Sequence, residues 1–260
     1  MPELAALTWV LVFGVIFFGG FIKGVVGFGY AIASTAILAT VIDPSIAVVV
    51  MILPMLAANV SLLRELDRSE IRSCLNRFWI YVVAALIGTV VGMFLLDVIP
   101  KPVLALLIGG FTLLYVLTKQ PWLPVPGESW IAERCFTTGW VAKGSLGFVS
   151  GIVFGAANIA VQVVAYLDSL SLDRSTFVGV LAMILVGISS LRVGMAWTLG
   201  LYGSNTLLLY SAIGTVPGVL GVSVGGRFRQ YIPAEYQLIG VLGLLIIIGL
   251  RLTTAGLAGL

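Results

Sequence analysis

The sequence predicts an all-α polytopic membrane protein built as two inverted-topology repeats. Each repeat reads as a glycine-broken re-entrant helical hairpin followed by three transmembrane helices, with eight or nine full spans as the alternative. Three observations predict this: apolar runs of membrane-crossing length recur along the whole chain, short sequence matches link its two halves, and corresponding connections carry opposite charge bias.

Of the 260 residues, 60% are hydrophobic and 10% charged, and the mean hydropathy is +1.15. That leaves too little polar surface to cover a water-soluble globule. Leu4 to Ile22, Ile46 to Leu63, Phe78 to Leu96 and Thr206 to Gly226 each hold about 18 to 21 residues without a charge, matching the roughly 20 that a helix needs to cross hydrocarbon. They do not alternate as barrel strands would. Apolar runs continue to the C-terminus, so the first is read as part of the fold rather than a cleaved leader.

Cutting the chain at charges and turn residues gives a glycine-broken region from Leu4 to Ile42, ended by Asp43-Pro44. Spans then follow at Ile46 to Leu63, Phe78 to Leu96 and Val103 to Thr118, separated by RELDRSEIRSCLNR and DVIPKP. A linker punctuated by prolines and charges occupies residues 119–137. The plan then repeats: a glycine-broken region from Thr138 to Leu167, and spans at Ser175 to Thr198, Thr206 to Gly226 and Leu238 to Leu250. The domain division is therefore 1–118, a cytoplasmic linker 119–137, and 138–260.

The halves also match residue by residue. Phe21-x-x-Gly24 with Ala31-Ile32-Ala33 corresponds to Phe148-x-x-Gly151 with Asn158-Ile159-Ala160, and Ile42-Asp43-x-Ser45 to Leu172-Asp173-x-Ser175. Ser61-x-Leu63-Arg64 corresponds to Ser189-x-Leu191-Arg192, and Ile87-Gly88-Thr89-Val90-x-Gly92 to Ile213-Gly214-Thr215-Val216-x-Gly218. The offsets fall between about 126 and 130, as an internal duplication requires. The connection from Arg64 to Arg77 holds four arginines, while its counterpart GLYGSN has no charge; DVIPKP has one lysine, while RFRQYIP has two arginines. By the positive-inside rule the copies are oppositely oriented, with both termini on the outer side of the plasma (inner) membrane. Inversion needs an odd number of crossings per half, so each glycine-broken region must leave on the face where it entered. Cys74 and Cys135 fall in or beside the connections placed in the cytoplasm and are expected as free thiols. The basic residues beside apolar runs set orientation, and no nucleic-acid partner is implied.

A helix broken inside a bilayer exposes backbone amides, and those at a half-helix N-terminus suit an anion. Gly27 and Gly29 supply such a break, and Lys23 stands beside it. Two readings of Lys23 stay open: positive charge near the break, or a side chain that snorkels to the interface. Lys143 reads as interfacial. Arg192 lies in an apolar run, where an unpaired arginine costs about 2.5–3.5 kcal/mol. It is either an anion-binding guanidinium with Ser189 one turn earlier, or the mark of a helix end. Asn59, Asn158 and Gln162 are neutral polar residues inside spans, suited to lining a cavity or to bonding helices together. Pro54 and Pro217 are expected to kink their helices.

The acidic residues all fall at span ends or in loops, and the chain has no histidine. No acidic or imidazole relay therefore crosses the membrane, which argues against a cation carrier and a carboxylate-based proton pump. It also removes a serine-histidine protease and a histidine zinc site, and no phosphate-binding loop is present. No cofactor is called for. Transport of an anion is best supported.

FIKGVVGFG, GFVSGIVFG and the blocks containing GTVVG and GTVPG, taken together, resemble the sulfite exporter TauE/SafE family. The likeness runs from about Phe13 to Arg251. The resemblance implies a plasma-membrane permease for small sulfur-containing anions, with Gly24, Gly27, Gly29, Gly147, Gly151 and Gly155 at the family's glycine-rich segments. The candidate substrate-binding residues are Lys23, Gly27, Gly29, Asn59, Asn158, Gln162, Ser189 and Arg192. The partners expected are a small anion, a coupling proton or sodium ion, and membrane lipid, and a single chain suffices for a pathway. The competing classes are a channel-like anion pore and a non-transporting membrane subunit.

Overall fold

The computed structural model describes residues 6–27, 29–63, 68–119, 140–168, 174–203, 205–231 and 234–260. These residues form eleven helices: α1 (Ala6–Val26), α2 (Tyr30–Ala39), α3 (Pro44–Val50), α4 (Ile52–Leu63), α5 (Arg68–Val98), α6 (Lys101–Lys119), α7 (Trp140–Ala157), α8 (Val161–Asp168), α9 (Arg174–Thr198), α10 (Asn205–Phe228) and α11 (Ala234–Ala258). Among the described residues, seven spans are long and apolar enough to cross a membrane, with α3 and α4 together making one of them. Bulky apolar side chains such as Leu7, Val10, Trp79, Ile87, Phe94 and Ile247 point outward, where lipid solvates them. The expected linker lies almost wholly outside the described residues, as do Cys135 and the side chain of Cys74.

Each glycine-broken region is a helix pair, but its arms are unequal rather than two half-crossings. α1 has 21 residues and α2 only 10; α7 has 18 and α8 only 8. The long arms persist because most of their glycines are helical and used for packing. In the first pair the chain turns at Gly27 and Gly29, with φ of 96° and 93°, which favour glycine; in the second, Asn158 takes φ 61°. Asparagine is among the few other residues that tolerate this left-handed region. α5 likewise starts earlier than expected, at Arg68 inside the charged connection.

Contacts fix the direction of each helix. Asp43 caps α3 by accepting from the Ser45 amide at 2.9 Å and pairs with Lys101 at 2.5 Å, so the start of α3 lies at the α5–α6 connection. The antiparallel return of α2 along α1 shows in Gly19 standing against Ser34 and Tyr30 while Gly29 stands against Ile22. α1 runs parallel to α10, with Gly20 against Gly218 and Gly24 against Val222. α7 runs parallel to α5, with Gly147 against Tyr81 and Gly151 against Ala85. Tyr166 of α8 stacks on Tyr81, ring centroids 4.8 Å apart, returning the second pair to the start of α5. The α1–α2 pair thus opens and closes at the α5–α6 end, and the α7–α8 pair at the α4–α5 end.

The break between α3 and α4 has a specific cause. Pro54 has no amide to donate to Val50 O, four residues back. The Ser211 hydroxyl of α10 donates to that carbonyl instead, at 2.9 Å. Pro217, by contrast, lies within an unbroken α10.

The glycine seams are backbone against backbone. A Cβ on Gly24 would stand 2.2 Å from Val222 O, one on Gly225 2.2 Å from Phe21 O, and one on Gly151 2.1 Å from Ala85 O. Gly24→Ala should therefore lower stability by about 1–3 kcal/mol through overpacking. Gly14→Ala on the same helix meets nothing within 4 Å and should be neutral or gain up to about 1 kcal/mol of helix propensity. Thermal unfolding of the two detergent-purified variants checks the contrast.

Candidate functional site

The short arms of both hairpins meet at a small cavity of about 30 Å³. Gly29, Tyr30, Ala31 and Ile32 line it from the first turn region, Ala160 and Val164 from the second, and Lys23 and Asn59 from α1 and α4. Gly29 is the N-cap of α2 and offers no side chain to its first-turn amides. Those donors and the positive end of the helix dipole therefore remain for another acceptor.

Lys23 does not snorkel: it is 5% exposed, and its Nζ donates to Asn59 Oδ1. An ammonium has three donors, and one goes to Asn59. On its other side Lys23 borders a vestibule of about 350 Å³, lined also by Gly27, Ser61, Arg227 and Arg229. Lys23 separates the two spaces. No acidic residue lines either among the described residues.

Arg192 is neither at a helix end nor on these cavities. It is fully buried inside α9, the largest side chain so enclosed. Nη1 donates to Asn158 Oδ1, Nε approaches Met93 Sδ at 3.4 Å, and Cζ lies 5.1 Å from the Phe154 ring centroid. The ring face and the carboxamide oxygen give the cation its electrostatic compensation. Asn158 in turn donates from Nδ2 to Thr35 Oγ1 at 3.1 Å and to Val48 O at 2.9 Å. Beside this knot, Arg192 Nη2, Ser189 Oγ and Tyr202 OH have no hydrogen-bond partner among the described residues. The Tyr202 hydroxyl is close enough to the guanidinium to interact electrostatically.

The structure thus sorts the sequence-predicted residues into two groups. Lys23, Gly29 and Asn59 share the small cavity, and Gly27 shares the vestibule with Lys23; Asn158, Ser189 and Arg192 form a separate sealed cluster. The side chain of Gln162 lies outside the described residues. Sequence reasoning did not single out Thr35, Met93, Phe154 or Tyr202. Arg227 and Arg229 were read only for orientation, although two arginines flanking an apolar run were visible.

These features define a polytopic α-helical membrane protein with buried cations and hairpin helix ends gathered inside the bundle. The chain belongs to the sulfite exporter TauE/SafE family, whose model matches residues 12–252. That is a family of membrane transporters for sulfur anions. No curated protein and no solved structure matches the chain.

Asn158→Ala removes three hydrogen bonds and leaves a buried guanidinium without its oxygen, so it should cost about 3–5 kcal/mol. Asn158→Gly loses the same bonds but avoids the left-handed strain, and should be milder by roughly 1 kcal/mol. Arg192→Met, which leaves Asn158 its two donations, should cost less than Asn158→Ala. Thermal unfolding of the three purified variants measures this order.

Proposed function

We propose that the chain is a secondary carrier for a small sulfur-containing oxyanion, held by Lys23, Asn59 and the first-turn amides of α2. The observation that carries this reading is the buried Lys23 ammonium, which among the described residues bonds to a neutral amide alone and is set between two spaces that no described acid lines. A cation so placed is complete when an anion joins it.

The cavity of about 30 Å³ has room for one or two waters rather than a hydrated oxyanion. Loading therefore requires the hairpin tips to part, which fits a carrier with a closed stage. Asn158, Ser189 and Arg192 close the pathway at the α5–α6 end, while the vestibule leaves the α4–α5 end open. The repeats are proposed as inverted, supported by the opposite ends at which the two hairpins open and by the reciprocal seams α1–α10 and α5–α7. We place the α4–α5 end in the cytoplasm on the arginines of 64–77. One chain holds the whole pathway, and transport is coupled to the membrane potential, a proton or sodium.

Ligand-induced stabilisation of the purified protein tests the site. Sulfite, thiosulfate, taurine or isethionate at 100 times its dissociation constant should add about 2.7 kcal/mol. Lys23→Met and the Lys23→Met/Asn59→Leu pair should abolish the shift, while Arg192→Met keeps it. A shift that survives Lys23→Met would remove Lys23 from the binding site.

A further inference from the structure

We propose that Arg192, Ser189 and Tyr202 form a buried halide site toward the α5–α6 end, in which one chloride accepts from Arg192 Nη2 and from the two hydroxyls. The site is separate from the Lys23 cavity and does not depend on the carrier reading.

Arg192 Nη2, Ser189 Oγ and Tyr202 OH are buried polar atoms with no hydrogen-bond partner among the described residues. Their residues are 0%, 1% and 5% exposed, so bulk water does not meet the shortage. Local structure gathers them. Ser189 and Arg192 stand one turn apart on α9 and share a face of it. Tyr202 belongs to the α9–α10 connection, where Gly200 and Gly203 take φ of 64° and 59° and the Leu201 amide donates back to Ala196 O at 3.0 Å. That turn brings the tyrosine hydroxyl within electrostatic reach of the guanidinium.

Charge decides what fits. Asn158, Met93 and Phe154 each turn partial negative charge toward Arg192, and none carries a full one. The described acids nearest this end are otherwise engaged: Asp43 pairs with Lys101 at 2.5 Å, and Asp97 is exposed. The connection 199–204 holds no charged residue. A water would take up the hydrogen bonds and leave the buried charge as it is, whereas an anion answers both. A sulfur oxyanion brings several oxygens, each in need of a donor once buried; three donor groups suit a single spherical acceptor. Because Tyr202 lies in a connection, the ion reaches the site from the membrane surface. Held there, it ties α9 to the segment leading into α10 and, through Arg192, to Asn158 and its contacts with the first half. Halide therefore braces the joint between the halves.

Thermal unfolding of the detergent-purified full chain tests the site, with chloride replacing gluconate at constant ionic strength. The melting temperature should rise by a few degrees and then saturate, and bromide should act alike. Ser189→Ala/Tyr202→Phe keeps the guanidinium and removes both hydroxyls, and should lose most of the shift. Lys23→Met should keep it, since the sulfur-anion cavity lies elsewhere. A parent indifferent to chloride overturns the site and leaves water to partner these groups. A shift that survives in the double variant also overturns it, as does one that Lys23→Met abolishes, which assigns the halide to the Lys23 cavity. Equilibrium binding of ³⁶Cl⁻ covers the case in which the double variant fails to fold. A single bromide-displaceable ion per chain in both the parent and Lys23→Met upholds the site, and none in Lys23→Met rejects it.

Discussion

The carboxamide of Asn158 joins the parts of this molecule that have least reason to stay together. It sits at a break in a membrane-buried chain, where backbone and side-chain polar groups must find partners without water. Its Nδ2 reaches the first half at Thr35 and Val48, and its Oδ1 takes a bond from Arg192 of the second. Asparagine suits the position on two grounds. It tolerates φ 61°, and it presents donors and an acceptor from one short side chain. A glycine would meet the first requirement alone, and an aspartate would set a charge against the Val48 carbonyl.

Around this joint the glycine seams decide which helices are held together most closely. α1 lies against α10, and α7 against α5, at backbone contact. Each hairpin's long arm is therefore fixed to a span of the opposite sequence half. Rocking one half of the sequence against the other would tear both seams. Movement that keeps them must carry α1 with α10 and α5 with α7, and shift side-chain contacts such as those of α4 with α9. Small-residue seams are the close associations in lipid, so in the proposed carrier the mobile bodies would be set by glycine rather than by chain order.

Much of the fold was legible because membrane solvation leaves a coarse signal: runs of about 20 apolar residues, and arginines in their connections. The span ends at Val98, Thr198 and Phe228 lie within a few residues of where charge and turn residues put them. The glycines were less legible. Gly24 and Gly151 lay in regions read as glycine-broken, yet they are helical and pack against other helices, because a glycine serves either role and sequence alone does not say which. The candidate site was partly legible. Lys23, Arg192, Asn59 and Asn158 were visible as polar residues in apolar runs, but their pairing depends on which helices touch. Lys23 with Asn59, and Arg192 with Asn158, are contacts of tertiary packing, and no local spacing encodes them.

The two pairs differ in the way their cations do. Arg192 carries a planar, fixed fork, and the structure surrounds it with a carboxamide, a thioether and an aromatic face, each set for one orientation. Lys23 carries a point charge on a flexible stem, bonds to one amide oxygen, and borders open space on both sides. A guanidinium locked by geometry is suited to holding helices in register; an ammonium with donors to spare is suited to passing a ligand. The proposed carrier needs both a closed end and an end where the ligand binds, and arginine for one and lysine for the other would suit that division of work.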